Sequence, residues 1–322
     1  MINQIHFGKR IALFRRKMNL SQSELSERLG VTPQAVSKWE CGATLPNIEI
    51  LLELSHLYGI SINELLEDRN LILDLTDKDT SENGISYFTP KENSNDIWSK
   101  NIIKNNWISR NWVNAISKND FLDNVGKTIA EHGGIILEIG AGPGGGFMPY
   151  VLKSNSDATI IISDISSTVV KEWKNLLDKK IDSPNLYYAT FDFCNMPFKD
   201  NSVDVISDAG GIGNVIGDKE KALKEVYRVL KPNGLFVTST GFVNKETYLT
   251  LPENVKKILK HKRPDIFEDL YEETVLAGFT EINSIIGNCW YTDDDDSTIA
   301  ELAQSLGINL KFTSYVRYCK KR

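Results

Sequence analysis

The chain has 322 residues, 41% of them apolar and 25% charged, enough for one sizeable globular domain plus a small one. No run of about 18 uncharged apolar residues occurs, and the N-terminus MINQIHFGKR lacks an apolar signal core, so neither a membrane span nor a secretory leader is expected. Four cysteines (Cys41, Cys194, Cys289, Cys319) stand far apart without C-x-x-C spacing, which argues against a zinc site or disulfide framework and sets the expectation of a cytoplasmic protein.

The net charge is −6, but it is unevenly spread: residues 1–39 hold seven Lys/Arg against two Glu. Ile5, Ile11, Ala12 and Phe14 give helical periodicity, which Asn19 and Leu20 break. Ser21 followed by Glu24 is a capping box, and the helix it opens stops at Gly30. Thr32 caps the next helix, PQAVSKWE, with Pro33 at its first position; Asn47 and Ser61 open two more. The tight glycine turn between the second and third helices gives a helix-turn-helix layout.

The stretch LSQSELSERLGVTPQAVSKWECG resembles the lambda-repressor-like (Xre-type) DNA-binding domain, over roughly residues 5–67. Cys41 departs from the polar residue usual at its position. A recognition helix presents its N-terminal outward side chains to base edges, here Thr32, Pro33, Gln34, Ser37 and Lys38. Gln34 is suited to adenine and Lys38 to guanine or phosphate. Gln22 would be a phosphate contact, with Lys9 and Arg10 adding nonspecific attraction. Ala35, Val36 and Trp39 face the domain's own core. The resemblance implies DNA as partner and a homodimer on two half-sites. A domain kept only for dimerisation or partner binding is the competing reading.

Residues 69–95 are polar apart from LILDL and contain Gly84 and Pro90, so they are expected to be a linker between a 1–68 domain and a 96–322 domain. Asp293–Asp296 reads as the solvated start of the helix STIAELAQSL, and no metal site is expected.

IILEI is a short buried-strand pattern, and ILEIGAGPGGG leads from it into the helix-like FMPYVLKSN. Glycines at a strand-to-helix turn are where an α/β sheet holds a nucleotide-like ligand. Alone, the spacing fits dinucleotide and methyltransferase templates equally. The strand ATIIISD then ends in Asp164, placed to accept from ribose hydroxyls; NLYYATFD is followed by FDFCNMPF; SVDVISDA leads to the helix EKALKEVYRVL and the strand LKPNGLFVTST.

The order LEIGAGPG, ISDIS, FDFCNMPF, EVYRVLKPNG resembles the class I S-adenosylmethionine-dependent methyltransferases, over about 96–322 and most strongly over 134–240. The resemblance implies a Rossmann-like seven-stranded α/β sheet with a reversed last strand, following the small all-α domain. The donor would be S-adenosylmethionine, with S-adenosylhomocysteine as product. Glu138 would lie near its amino group, Gly140, Ala141 and Gly142 would allow close backbone approach, Asp164 with Ile165 would hold the ribose side, and Asp192 with Phe193 the adenine. Asp208 would line the methionine end. As catalytic candidates we single out Asp208, for which a hydrogen bond to the donor is the simpler reading, and His261, in a stretch where the family places acceptor contacts. His132 reads as a surface residue. Trp98, Trp107 and Trp112, before the first strand, read as helix packing, with an aromatic lid as the alternative.

The function expected is methyl transfer to a small molecule, coupled to DNA binding and transcriptional regulation. The alternative is a regulator whose methyltransferase-like domain only senses S-adenosylmethionine or another metabolite. Adenine amino-methylation is disfavoured, because SDAGG stands where a D/N-P-P-Y/F motif is expected. Hydride transfer is disfavoured because no catalytic residues for it stand out.

Overall fold

A computed structural model describes residues 4–66, 71–78, 80–90, 106–155, 158–181, 185–213, 218–262, 264–267, 269–294 and 298–322. Trp98, Asp295 and Asp296 lie outside the described residues, as does the start of the second domain at residue 96.

Residues 4–66 form α1 (Gln4–Lys17), α2 (Gln22–Arg28), α3 (Pro33–Glu40), α4 (Ile48–Tyr58) and α5 (Ile62–Leu66). The caps fall where the sequence puts them. Ser21 and Glu24 form a reciprocal capping box, Thr32 accepts from Ala35 N, and Asn47 accepts from Ile50 N. Phe7, Ile11, Leu25, Leu29, Val36, Trp39, Leu54 and Leu65 meet in one small core. α1 crosses α3 so closely that a Cβ on Gly8 would lie 2.2 Å from the Trp39 carbonyl oxygen.

Residues 69–95 depart from the expected linker over much of their described part. Leu71–Thr76 form α6, Ser81–Glu82 form β1 and Ile85–Tyr87 form β2. Asn83 (φ 52°) and Gly84 (φ 75°) make the turn between the strands. Two successive left-handed residues give the turn type that closes tight hairpins, and Asn-Gly is its preferred pair. Ile72 and Leu75 are buried against the large sheet, and β2 pairs in parallel with the strand Leu186–Thr190.

The remaining elements are α7 (Trp107–Ile116), α8 (Asp120–His132), β3 (Ile135–Glu138), α9 (Met148–Ser154), β4 (Thr159–Asp164), α10 (Ser167–Lys180), β5 (Leu186–Thr190), β6 (Val203–Asp208), α11 (Lys219–Val229), β7 (Leu230–Val243), α12 (Lys245–Thr250), α13 (Glu253–Lys262), α14 (Tyr271–Leu276), β8 (Thr280–Tyr291), α15 (Thr298–Ser305) and β9 (Lys311–Lys320). They build a sheet of order β1-β2-β5-β4-β3-β6-β7-β9-β8. β9 runs antiparallel between β7 and β8, the expected reversal. Two strands, β1 and β2, extend the expected seven.

β4 reads as an unbroken apolar run because helices cover both its faces. Ile129 of α8, Val151 of α9 and Trp173 of α10 lie on one face. Leu75 of α6, Val226 of α11 and Leu270 lie on the other. A satellite core of Val255, Leu259, Ala303 and Phe312 sits at the far end of β7.

Candidate functional site

The strand order reverses between β3 and β6, and in open α/β sheets the crevice outside such a switch point is the ligand site. The glycine turn after β3 and the loop after β6 meet there. A Cβ on Gly140 would lie 3.4 Å from the Gly211 Cα and 3.5 Å from the Phe193 ring.

Gly140, Gly142, Gly145 and Gly146 all have left-handed φ, of 59°, 53°, 79° and 58°. Their surroundings differ. A Cβ on Gly145 would lie 2.7 Å from the buried Trp173 ring, and one on Gly146 would lie 1.7 Å from Glu138 Oε1. These two glycines make room for the chain's own side chains. Around Gly142 the nearest atom is the Gly140 oxygen at 3.9 Å, and around Gly144 nothing lies within 4 Å. Here the space is open.

The turn is pinned from below. Ala141 N donates to Ser163 O (2.9 Å), and Gly142 N donates to Asp164 Oδ2 (2.8 Å). Ser166 N donates to Asp164 Oδ1, and the Trp173 indole N–H donates to Gly142 O (both 2.8 Å). Asn111 Nδ2 donates to Pro143 O (2.9 Å), tying α7 across the turn. Trp112 packs edge-on to Trp173 in the core and Trp107 packs beside it, so these two indoles are helix packing. Sequence reasoning missed Asn111 and Trp173, which lie on ordinary helix faces. Only their partners in space distinguish them.

Glu138 ends β3 fully buried, with Ser207 Oγ donating to its Oε2. Its Oε1 is buried with no close hydrogen bond among the described residues, although the Phe147 backbone N–H faces the carboxyl and works against the rise that burial causes. Burial pushes the carboxyl well above the usual carboxylate range, the Ser207 hydrogen bond opposes this, and neighbouring Asp208 adds to it. Asp208, also fully buried, accepts from Gly211 N (2.6 Å), Ile212 N (3.2 Å) and Thr238 Oγ1 (3.0 Å). Burial raises its carboxyl to about 6. Its oxygens thus hold the loop after β6 against β7.

Ile165 is a 48%-exposed aliphatic surface next to Asp164. Asp192 is exposed, with Oδ1 accepting from Cys194 N (2.8 Å), and Phe193 is half-buried. Glu138, the glycine turn, Phe193 and Asp208 therefore come together. His261 does not share that setting. It is exposed in the last turn of α13, whose Val255 and Leu259 belong to the satellite core.

On the N-terminal domain Thr32, Pro33, Gln34, Ser37 and Lys38 are all exposed, Val36 and Trp39 are buried, and Ala35 packs against the core. Gln22 donates to Glu40 Oε2 (2.8 Å), which also binds Arg15. The Arg10 guanidinium donates to Leu65 O (3.2 Å). The Lys9 side chain lies outside the described residues.

The family profile described as "Methyltransferase domain" matches residues 137–238, and one described as "Helix-turn-helix" matches residues 11–65. A ubiquinone/menaquinone biosynthesis C-methyltransferase of Rickettsia bellii is 32% identical over 175 residues, which cover 46% of this chain and 69% of that protein. The chain belongs to the methyltransferase family. The matched methyltransferase span runs from β3 to Thr238, the partner of Asp208, and holds every residue of the crevice from Glu138 to Asp208; His261 falls outside it. A C-methyltransferase of the same description from Idiomarina loihiensis is 33% identical over 99 residues, 31% of this chain, and the chain spans 39% of its length. The helix-turn-helix end is 38% identical over 68 residues to the HTH-type transcriptional activator BcrR of Enterococcus faecalis, covering 21% of this chain and 33% of that one.

Proposed function

We propose that the chain is an S-adenosylmethionine-dependent methyltransferase acting on a small molecule, and that residues 1–68 bind DNA as part of a homodimeric cytoplasmic regulator. The observation that carries the donor reading is the open space at Gly142 and Gly144 in the switch-point turn, next to the fully buried Glu138, whose Oε1 has no close hydrogen-bond partner among the described residues. A buried acceptor without a donor calls for one from a ligand. S-adenosylmethionine supplies an electrophilic methyl carbon on a sulfonium. Glu138 would take its amino group, Asp164 its ribose hydroxyls and Asp192 its adenine amine. Phe193 and Ile165 would flank the ring, while Gly140, Ala141 and Gly142 admit the donor along the backbone. The rest of the protein's task is to position the acceptor and exclude water.

Asp208 is committed to its own loop and His261 stands exposed. This favours an acceptor that is already nucleophilic, such as a carbanion, enolate or thiolate, and needs no protein base. The DNA reading is supported by the exposed row Thr32, Pro33, Gln34, Ser37 and Lys38 above a buried Val36–Trp39 floor. Gln22, held by Glu40, sits ready at the start of α2.

Calorimetric titration with S-adenosylmethionine tests the donor site. Wild type should bind in the micromolar range, and Asp164→Ala should weaken binding by about tenfold or more, about 1.4 kcal/mol. Absence of binding in ligand-free protein overturns the reading. Labelled-donor transfer into a metabolite extract then separates an enzyme from a sensor.

A further inference from the structure

Arg317 of β9 stands opposite Thr238 of β7, and Tyr315 opposite Thr240. Directly paired residues share one face of a sheet, as do residues two apart on a strand. Arg317 therefore belongs with Thr238, whose hydroxyl holds Asp208, at the carboxyl edge of β7 beside the crevice. The loop after β6 reaches the same place: a Cβ on Gly213 would lie 3.6 Å from Thr240 Cγ2.

The Arg317 guanidinium is buried, at 3% exposure for the residue. Nη1 donates to Thr240 Oγ1 (3.2 Å) and to the Asp269 backbone oxygen, and Nη2 donates to Asp269 Oδ2 (3.3 Å). Nε is buried and meets no acceptor among the described residues. The guanidinium carbon lies 5.7 Å from the Tyr271 ring centre and 5.8 Å from that of Tyr315, which stacks on Phe242. Tyr271 is 43% exposed, so this aromatic wall reaches the surface.

Guanidinium groups keep their charge when buried, and that charge needs compensation. Two ring faces supply part of it. Asp269 supplies more, through one 3.3 Å contact from a side chain half in solvent. What is missing is an acceptor for the Nε–H, which with an Nη2–H forms the fork that matches an oxyanion. We propose that Arg317, Tyr271 and Tyr315 form the acceptor subsite and select a planar methyl acceptor bearing an oxyanion, a carboxylate or an enolate-type oxygen. This rests on the methyltransferase reading and adds the substrate class to it.

The test uses the full chain saturated with S-adenosylhomocysteine, with benzoate and its neutral isostere benzamide as probes, read by saturation-transfer NMR. Wild type should prefer benzoate by about tenfold or more. Arg317→Gln should abolish that preference while leaving the affinity for S-adenosylhomocysteine unchanged. Asp269→Asn, which removes the competing carboxylate, should strengthen benzoate binding by about three- to tenfold; an arginine serving only to fasten Asp269 would give no gain. Equal binding of the two probes, no binding of either up to about 20 mM, or a benzoate preference that survives in Arg317→Gln overturns the proposal. If Arg317→Gln does not fold, unchanged or weakened benzoate binding by Asp269→Asn overturns it instead. Failure of S-adenosylhomocysteine to bind overturns the donor reading, a separate result.

Discussion

Gly145 and Gly146 lie against Trp173 and Glu138, whereas Gly144 faces open space. Gly146→Ala would force a methyl into a buried carboxyl at a left-handed φ, and should destabilise the domain by about 3 kcal/mol or more. Gly144→Ala should change stability by less than about 0.5 kcal/mol yet weaken donor binding. Urea unfolding and calorimetry on the two variants check this contrast. Asp208 carries a pH signature. Its carboxyl lies at about 6 when folded against an ordinary 3.8, so between these values the folded chain holds the proton more tightly. Its contribution to stability is present below about pH 4 and lost as pH rises through 6, in all by about 2–3 kcal/mol. Glu138 acts in the same direction. Asp208→Asn should flatten the wild-type decline in urea midpoint between about pH 4.5 and about pH 7.5.

At the scale of elements, the helix-turn-helix is legible in the sequence because its caps are local. Ser21, Thr32 and Asn47 each satisfy a backbone N–H three residues away. The β1–β2 hairpin has strands too short to show alternation, although its Asn83-Gly84 turn was a readable signal. Its partner, β5, lies about a hundred residues away in sequence, and no local pattern announces that pairing. The hairpin also plants Ile85, 3% exposed, in the core that holds Trp173. Ile85→Ala should therefore cost about 2–4 kcal/mol of methyltransferase-domain stability, an effect that a residue in a solvated linker would not show in denaturant unfolding.

At the scale of the whole molecule, the core around Leu25, Val36 and Leu54 shares no residue, among the described residues, with the two cores that sandwich the sheet. Two unfolding transitions are expected in calorimetry. S-adenosylmethionine at about 100 times its dissociation constant should stabilise one of them by about 2.7 kcal/mol and leave the other in place. A single transition shifted as a unit would mean that the domains fold cooperatively.

The sequence by itself determined the caps and the succession of strands and helices, which local hydrogen bonding and hydrophobic period set and neighbours in the chain reveal; its motifs, through the families they resemble, implied the two kinds of domain and the residue types that the crevice uses. Only the tertiary structure decided which glycines make room for the chain's own side chains and which face open space. It also decided that Asp208 is tied to its loop, that Arg10 caps Leu65, and that Arg317 lies buried between two tyrosines beside the crevice. Apart from the short loop that Asp208 holds, these depend on atoms brought together from distant parts of the chain, where packing and burial, not sequence spacing, fix what a side chain can do.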